Sequence, residues 1–247
     1  MPLSIMDFPI NLIQSILAFA ITTCGAALQG SIGFGLGLIG VPLLVLVNPI
    51  FIPGPVLLSA LCLTLLIAHR ERHTIRAKEI TWAVAGRIFG AVIGSLLLLI
   101  IPAKSVSILF GTMILLAVFI SISGLKLQLK PMNLLSAGAA SGIMGTTSAI
   151  GGAPMALIYQ DQKGPKLRGA LSTIFIFGTI ISLSSLIIIN RFGLKELYST
   201  LPLIPGTLLG FLISKRLTKF LDKGLIRPAV LIASGFSGMI VIIKNIL

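Results

Sequence analysis

The sequence predicts an all-α polytopic membrane protein of two inverted repeats, each a broken helical hairpin plus three transmembrane helices. Three observations support this fold class. Hydrophobic residues make up 56% of the 247 residues and charged residues only 10%, with a mean hydropathy of +1.10, which excludes an ordinary soluble domain. Apolar runs near the ~20 residues needed to span a bilayer recur along the whole length. A glycine-rich stretch that interrupts these runs occurs twice, 112 residues apart.

The first glycine-rich stretch covers residues 25–42 and is a poor helix. Its six glycines each cost roughly 1 kcal/mol relative to alanine in a helix interior. Pro42 lacks a backbone N–H and clashes with the preceding turn. Because lipid offers no water to freed backbone groups, a broken helix in a membrane lines a cavity or is buried in protein.

The second glycine-rich stretch covers residues 137–154. Four residues coincide when the two stretches are superimposed: Gly30 with Gly142, Gly33 with Gly145, Gly40 with Gly152, and Pro42 with Pro154. Broken segments at corresponding positions of two halves indicate a transporter binding site. We therefore divide the chain into a first transmembrane repeat, 1–124, and a second, 125–247.

The predicted spans are separated by short loops that contain proline or charge. They are 10–29 and 36–47 around the first break, then 51–69, 80–101, 105–123, the broken segment 133–160, 169–189, 198–214 and 229–246. All six acidic residues fall in the N-terminal stretch or in loops. The sequence therefore predicts no intramembrane carboxylate.

The topology follows from the lysines and arginines. If each broken segment enters and leaves on one side, loops 70–80, 124–132, 161–168 and 215–228 share a side and carry fourteen basic residues, against four on the other side. If each broken segment crosses once, the two sides carry nine each. The positive-inside rule favours the first arrangement, with the N-terminus outside.

Small residues also recur at helical spacing later in each half. Gly86, Gly90 and Gly94 correspond to Gly206, Gly210 and Ser214 at an offset of 120. Such rows let helix backbones approach closely. We interpret them as packing surfaces.

The two breaks are candidate anion-binding elements. Free N–H groups near Gly35 to Gly37 and near Ile150 to Gly152 would converge on one anion. Side-chain donors beside them are Gln29, Ser31, Thr146, Thr147 and Ser148. Each of these side chains either contacts substrate or satisfies the freed backbone.

Two arginines have alternative interpretations. Arg87 is the only basic residue well inside a span, where charge marks a functional site by default. It is either a counter-charge for the anion or a side chain that reaches the interface. Arg168 begins a helix after the second break, where it either gates the cytoplasmic mouth or marks the membrane boundary.

Other classes of function lack their signatures. The sequence Gly235-Phe236-Ser237-Gly238 matches an intramembrane serine protease motif, but no histidine follows Ser237. A cation channel would need intramembrane carboxylates. Nothing predicts a catalytic residue, a metal site, a cofactor or nucleic-acid binding, and nothing indicates an oligomeric state. A non-transporting scaffold would not need a backbone opened at mid-membrane.

Two stretches resemble the sulfite exporter TauE/SafE family of membrane transporters: GAALQGSIGFGLGLIGVPLL at 25–44 and GIMGTTSAIGGAPMALIYQ at 142–160, followed by Arg168. Many members carry three successive glycines in the first motif, where this chain has Gly33-Phe34-Gly35. Many carry Gly-Pro-Pro in the second, where this chain has Gly152-Ala153-Pro154.

The resemblance implies transport, with export expected, of sulfite, thiosulfate or small organosulfonates across an inner (plasma) membrane by a multi-pass protein. The expected partners are a small anionic substrate and the lipid bilayer; another small anion is the alternative substrate. The predicted substrate-binding residues are Gln29, Ser31, Gly33, Phe34, Gly35, Arg87, Gly145, Thr147, Ser148, Gly151 and Gly152.

Overall fold

The computed structural model describes residues 9–74, 77–102, 105–124, 127–162 and 164–221, together with 232, 235–236 and 238–243. No β-strand occurs among these residues, and the all-α prediction is confirmed. They contain α1 (Leu12–Ile32), α2 (Val41–Val47), α3 (Gly54–Arg70), α4 (Ala77–Ile100), α5 (Val106–Ile122), α6 (Pro131–Ser148), α7 (Gly152–Ile158), α8 (Gly164–Ile188), α9 (Leu194–Ser199) and α10 (Leu203–Leu221). A π-helical turn, Leu36–Gly40, leads into α2, and 3-10 turns cover Pro49–Phe51 and Arg72–Thr74.

Three of the described helices are long and apolar enough to cross a membrane: Leu12–Ile32, Ile80–Ile100 and Gly164–Ile188. Shorter apolar helices cover Leu36–Val47, Gly54–Arg70 and Val106–Ile122. Large apolar side chains at helix ends face outward, since Ile100 and Ile188 are each 78% exposed. An outer surface of this kind is suited to lipid rather than water.

Helices of the two halves pack against each other. The most extensive packing is between α4 and α6 and between α1 and α10, followed by α3 with α8. A Cβ added at Gly90 would collide with the backbone of Ala139 in α6. One added at Gly206 would lie 2.6 Å from the carbonyl oxygen of Phe19 in α1. The glycine rows therefore serve as packing surfaces, as their spacing predicts.

Each broken segment turns back on itself. Gln14 at the start of α1 donates from Nε2 to the carbonyl oxygen of Val47, at the end of α2, at 3.5 Å. In the second segment, Leu134 of α6 and Ile158 of α7 belong to one cluster of buried apolar residues. The start of α1 and the end of α2 therefore lie side by side, and the first broken segment is a hairpin.

Helix boundaries in the second half differ from the prediction. The span predicted at 198–214 is divided into α9 and α10, and α10 runs to Leu221. Pro202 lies between them, and the residue before a proline disfavours the helical conformation. The helix α8 begins at Gly164 rather than 169, because Pro165 suits the first helical turn. Half of the span predicted at 229–246 lies outside the described residues.

Candidate functional site

The first break is made by two glycines. The helix α1 ends at Ile32, where the Gly33 N–H donates to the carbonyl oxygen of Gln29 at 2.7 Å. Gly33 has a φ of +92° and Gly35 a φ of +145°. Side chains other than glycine rarely adopt such angles, so these positions depend on glycine to reverse the chain.

The second break uses a different residue for its reversal. The helix α6 ends at Ser148, and Ala149 follows with a φ of +60°. Its N–H donates to the carbonyl oxygen of Gly145 at 2.8 Å. A left-handed conformation costs a residue with a Cβ roughly 1–2 kcal/mol, which the surrounding packing must offset.

A side chain bridges each break. The Leu36 N–H donates to Gln29 Oε1 at 3.1 Å in the first segment. In the second, Ser141 Oγ donates to the carbonyl oxygen of Gly151. Gln29 and Ser141 are 112 residues apart, which is the offset between the two glycine-rich stretches.

The two breaks lie against each other. A Cβ added at Gly37 would meet the carbonyl oxygen of Ala149 and lie 3.2 Å from the Cα of Ile150. One added at Gly152 would lie 3.4 Å from the Cβ of Phe34. The glycines therefore allow the backbones of the two segments to touch.

A small cavity of about 40 Å³ lies where the breaks meet. Six of the predicted site residues line it: Gln29, Phe34, Gly35, Arg87, Gly151 and Gly152. Its wall also includes Ala60 of α3 and Phe175 and Thr179 of α8. The cavity thus lies among both broken segments and three other helices.

Arg87 is buried at the wall of this cavity. Its side chain does not reach the surface, since the residue is 3% exposed. Its Nη1 donates to the carbonyl oxygen of Ser141 at 2.6 Å and also to Ser141 Oγ. The guanidinium lies 5.1 Å from the centre of the Phe175 ring. Gly178 makes room for this side chain, because an added Cβ there would collide with Arg87.

The charge of Arg87 has no acidic partner in the described part of the chain. The ion pairs found there involve Arg70, Arg168 and Glu71. Arg87 Nε is buried without a hydrogen-bond partner. An unpaired charge in a dry interior is costly, so a ligand of negative charge would be favoured beside it.

A family model of the sulfite exporter TauE/SafE matches residues 17–241. The chain belongs to this family. The resemblance seen in the two glycine-rich stretches is thereby confirmed, and the matched range includes every cavity-lining residue named above. The TauE/SafE family comprises membrane transporters of sulfur-containing anions. No curated protein and no solved structure matches this chain.

Two donors face the cavity of this TauE/SafE protein. The Leu36 N–H donates to Gln29 Oε1, and only an oxygen can accept this bond. The NH₂ group of the Gln29 amide therefore points away from Leu36. Thr179 of α8, which is not among the predicted site residues, is 2% exposed and lines the cavity. Its only sequence signal is a polar residue inside an apolar span.

Three of the other predicted donors bond their own helix, and the fourth bonds a neighbouring helix. Ser31 Oγ donates to the carbonyl oxygen of Ala27 at 2.7 Å. Thr147 and Ser148 do the same with the carbonyl oxygens four residues earlier, each at 2.8 Å. Thr146 shares a 2.7 Å hydrogen bond with Ser182 of α8. None of these four side chains lines the cavity.

Two predicted glycines lie beside arginines rather than in the cavity wall. A Cβ at Gly33 would lie 3.3 Å from the Cα of Arg168. One at Gly145 would lie 2.8 Å from Arg87 Nη2. Both glycines therefore provide space for packing at this site.

A second charged group surrounds the end of α1. Arg168 Nε lies 2.8 Å and Arg70 Nε 3.0 Å from Glu71 Oε1. The sequence predicts Glu71 in a loop, yet this residue is only 8% exposed. Arg70 is the last residue of α3. Arg168, a residue of α8, is also buried, at 8% exposed.

Proposed function

We propose that this TauE/SafE protein is a multi-pass inner-membrane transporter that exports a small inorganic sulfur oxyanion held between its two broken segments. The observation that carries the proposal is the Arg87 guanidinium. It is buried, lines the cavity and has no carboxylate partner in the described residues. Burying a charge costs several kcal/mol, and an anion in the cavity would offset that cost.

The proposed ligands of the anion are of three kinds. Arg87 supplies charge-assisted hydrogen bonds, which are stronger than neutral ones. The Gln29 amide and the Thr179 hydroxyl supply neutral donors from two other helices. Gly35, Gly151 and Gly152 have no side chains and let the anion approach the backbone closely.

The size of the cavity favours a compact substrate. A volume of about 40 Å³ exceeds by roughly threefold the space that one water molecule needs. Sulfite and thiosulfate are compact, whereas an organosulfonate carries a carbon chain as well. Phe34 stands where many members of the family carry glycine, and its side chain occupies part of the wall. We therefore favour sulfite or thiosulfate over organosulfonates.

We further propose that residues 1–124 and 125–247 are inverted repeats. The bridges made by Gln29 and Ser141, 112 residues apart, support this division. So does the packing, since the hairpin of each half packs on a helix of the other half. The basic residues of the loops favour a cytoplasmic position for the ends of α3 and α10.

The remaining predicted residues support the breaks in this proposal. Ser31, Thr147 and Ser148 donate to carbonyl oxygens four residues earlier in their own helices, so these hydroxyls are satisfied without a ligand. Gly33 and Gly145 leave space for Arg168 and Arg87, respectively. We assign these five residues to the shape of the site and not to direct ligation.

Export follows from the membrane potential. An inside-negative potential of about 100 mV favours exit of a monovalent anion by about 2.3 kcal/mol. The acids nearest to the long helices stand at helix ends: Glu71 follows α3, and Glu79 is the third residue of α4. A dedicated carboxylate relay is therefore not part of the proposal.

The binding test is a thermal-shift screen of the purified protein with sulfite, thiosulfate, sulfoacetate, taurine and acetate. A ligand that binds the folded state raises the melting temperature by mass action. We expect shifts with sulfite or thiosulfate and none with taurine. A shift with acetate alone would indicate another anion, and no shift with any anion would favour a scaffold.

The transport test uses proteoliposomes with a set potassium diffusion potential and no pH or sodium gradient. Flux of sulfite or thiosulfate should follow the sign and size of the potential. A strict requirement for sodium would contradict electrophoretic export and would indicate a coupling ion.

A further inference from the structure

The tip of the first broken segment separates the cavity from a buried group of charges. Gln29 lines the cavity. The next residue, Gly30, accepts a hydrogen bond from Arg70 Nη2 at its carbonyl oxygen, at 2.5 Å. Ser31 accepts one from Arg168 Nη1 at 3.2 Å. The same short stretch of α1 therefore forms the cavity wall and the attachment point of two arginines.

The arginines suit this position for a physical reason. The last carbonyl groups of a helix have no partner within it and carry partial negative charge. Arg70 and Arg168 donate to two of them, and Glu71 neutralises part of the accumulated positive charge. A buried carboxylate shared between two guanidiniums holds both in one geometry.

The charged group also joins four helices. Arg70 Nη1 at the end of α3 donates to Ser214 Oγ of α10 at 3.1 Å. Arg168 belongs to α8, and Ser31 Oγ of α1 lies 3.3 Å from the carbonyl oxygen of Ser214. Thr74 Oγ1 donates to the carbonyl oxygen of Pro165 at 3.1 Å, next to these contacts.

We propose that Arg70, Glu71 and Arg168 form a latch that closes the cavity toward the end of the molecule where α3 ends and α8 begins. This inference rests on the proposed transport function, which requires the cavity to open at that end. A Cβ added at Gly33 would lie only 3.3 Å from Arg168 Cα, so Gly33 packs closely on α8 and residues 29–35 must leave α8 for a passage to form. That movement breaks both arginine–carbonyl hydrogen bonds, and the glycines at 33 and 35 provide the hinge.

The test measures how fast the cavity is reached from the latch side. Ala60, which lines the cavity, is replaced by cysteine in a Cys24→Ser, Cys62→Ser background. A membrane-impermeant maleimide is added to oriented vesicles on the side of Arg70, with no anion present. Glu71→Gln should raise the labelling rate at least tenfold. The matched control, Asp161→Asn, removes an exposed carboxylate in the segment before α8 and should leave the rate unchanged.

Arg168→Lys is a second variant. Lysine keeps the positive charge but has a single ammonium group, whereas arginine donates through separate Nε and Nη groups. Arg168→Lys should also accelerate labelling. If Glu71→Gln does not elute as a folded, monodisperse protein, the labelling rate of Arg168→Lys alone tests the latch. Unchanged labelling in both variants, with normal anion binding, would overturn the latch alone. Faster labelling in a protein that binds no anion would retain the latch and overturn the proposed substrate.

Discussion

Arg87 and Ser141 are 54 residues apart in sequence, and Arg87 Nη1 donates to the Ser141 carbonyl oxygen at 2.6 Å. Ser141 Oγ in turn donates to the carbonyl oxygen of Gly151, across the second break. The position of the buried charge therefore depends on the shape of the broken segment. Charge and break form one unit, although they come from different halves of the chain.

The first prediction concerns the charge of Arg87. Arg87→Gln should lower the affinity for sulfite or thiosulfate at least tenfold, because hydrogen bonds to charged groups contribute about 1.5–3 kcal/mol. Arg87→Lys should be intermediate, since it retains charge but loses the forked donors. Isothermal titration calorimetry measures both. Arg191→Gln is the control, because Arg191 also donates to a helix carbonyl, that of Leu98, and does not line the cavity.

The second prediction moves Arg87 without removing its charge. A Cβ added at Gly178 would collide with the Arg87 side chain, so Gly178→Ala should reduce anion binding by about as much as Arg87→Gln. Gly40→Ala is the matched control, since its Cβ would make only an ordinary contact, 3.4 Å from the Leu36 side chain. Equal affinities in the two variants would show that the position of the guanidinium is unimportant for binding.

The third prediction concerns the hydroxyl of Thr179. Thr179→Val preserves the shape and removes the donor, and it should weaken anion binding about tenfold. Thr179→Ser should retain most of the affinity. Thr173→Val, on the same helix, removes a hydroxyl that donates to the carbonyl oxygen of Gly169 and should have little effect. If Thr179→Val binds as the wild type does, the hydroxyl does not contact the anion.

The fourth prediction concerns selectivity. Phe34→Gly should enlarge the cavity and let taurine or sulfoacetate compete with sulfite, because Phe34 forms part of its wall. Competition for uptake into proteoliposomes measures this change. Phe177→Ala, at a phenylalanine that is 49% exposed on α8, is the control. Continued exclusion of organosulfonates by folded Phe34→Gly would place the selectivity filter elsewhere.

The fifth prediction concerns topology. Gln128 and Asp161 are exposed residues that flank the second broken segment. Single cysteines at these positions, in the background without Cys24 and Cys62, should both resist an impermeant thiol reagent added outside intact cells. Both should react after the membrane is opened. Labelling of one cysteine but not the other in intact cells would contradict the inverted-repeat arrangement.

The sequence alone was sufficient for the all-α class, the family and the places where helices break. These features depend on local properties: apolar runs suit lipid, and glycine permits the backbone angles found at Gly33 and Gly35. The sequence also identified Arg87 as a candidate site residue, because a charged residue inside an apolar span is evident from a single sequence. Local composition does not specify which face of a helix meets which neighbour.

The tertiary structure decided which polar groups face the cavity and which do not. A serine or threonine in a helix bonds its own carbonyl four residues earlier when nothing better is near, as Ser31 and Ser148 do. Thr179 faces the cavity because of the way α8 packs against the broken segments. Glu71 is buried because α8 brings Arg168 to it from 97 residues away. Contacts of that range depend on how helices pack, which a pattern of neighbouring residues does not contain.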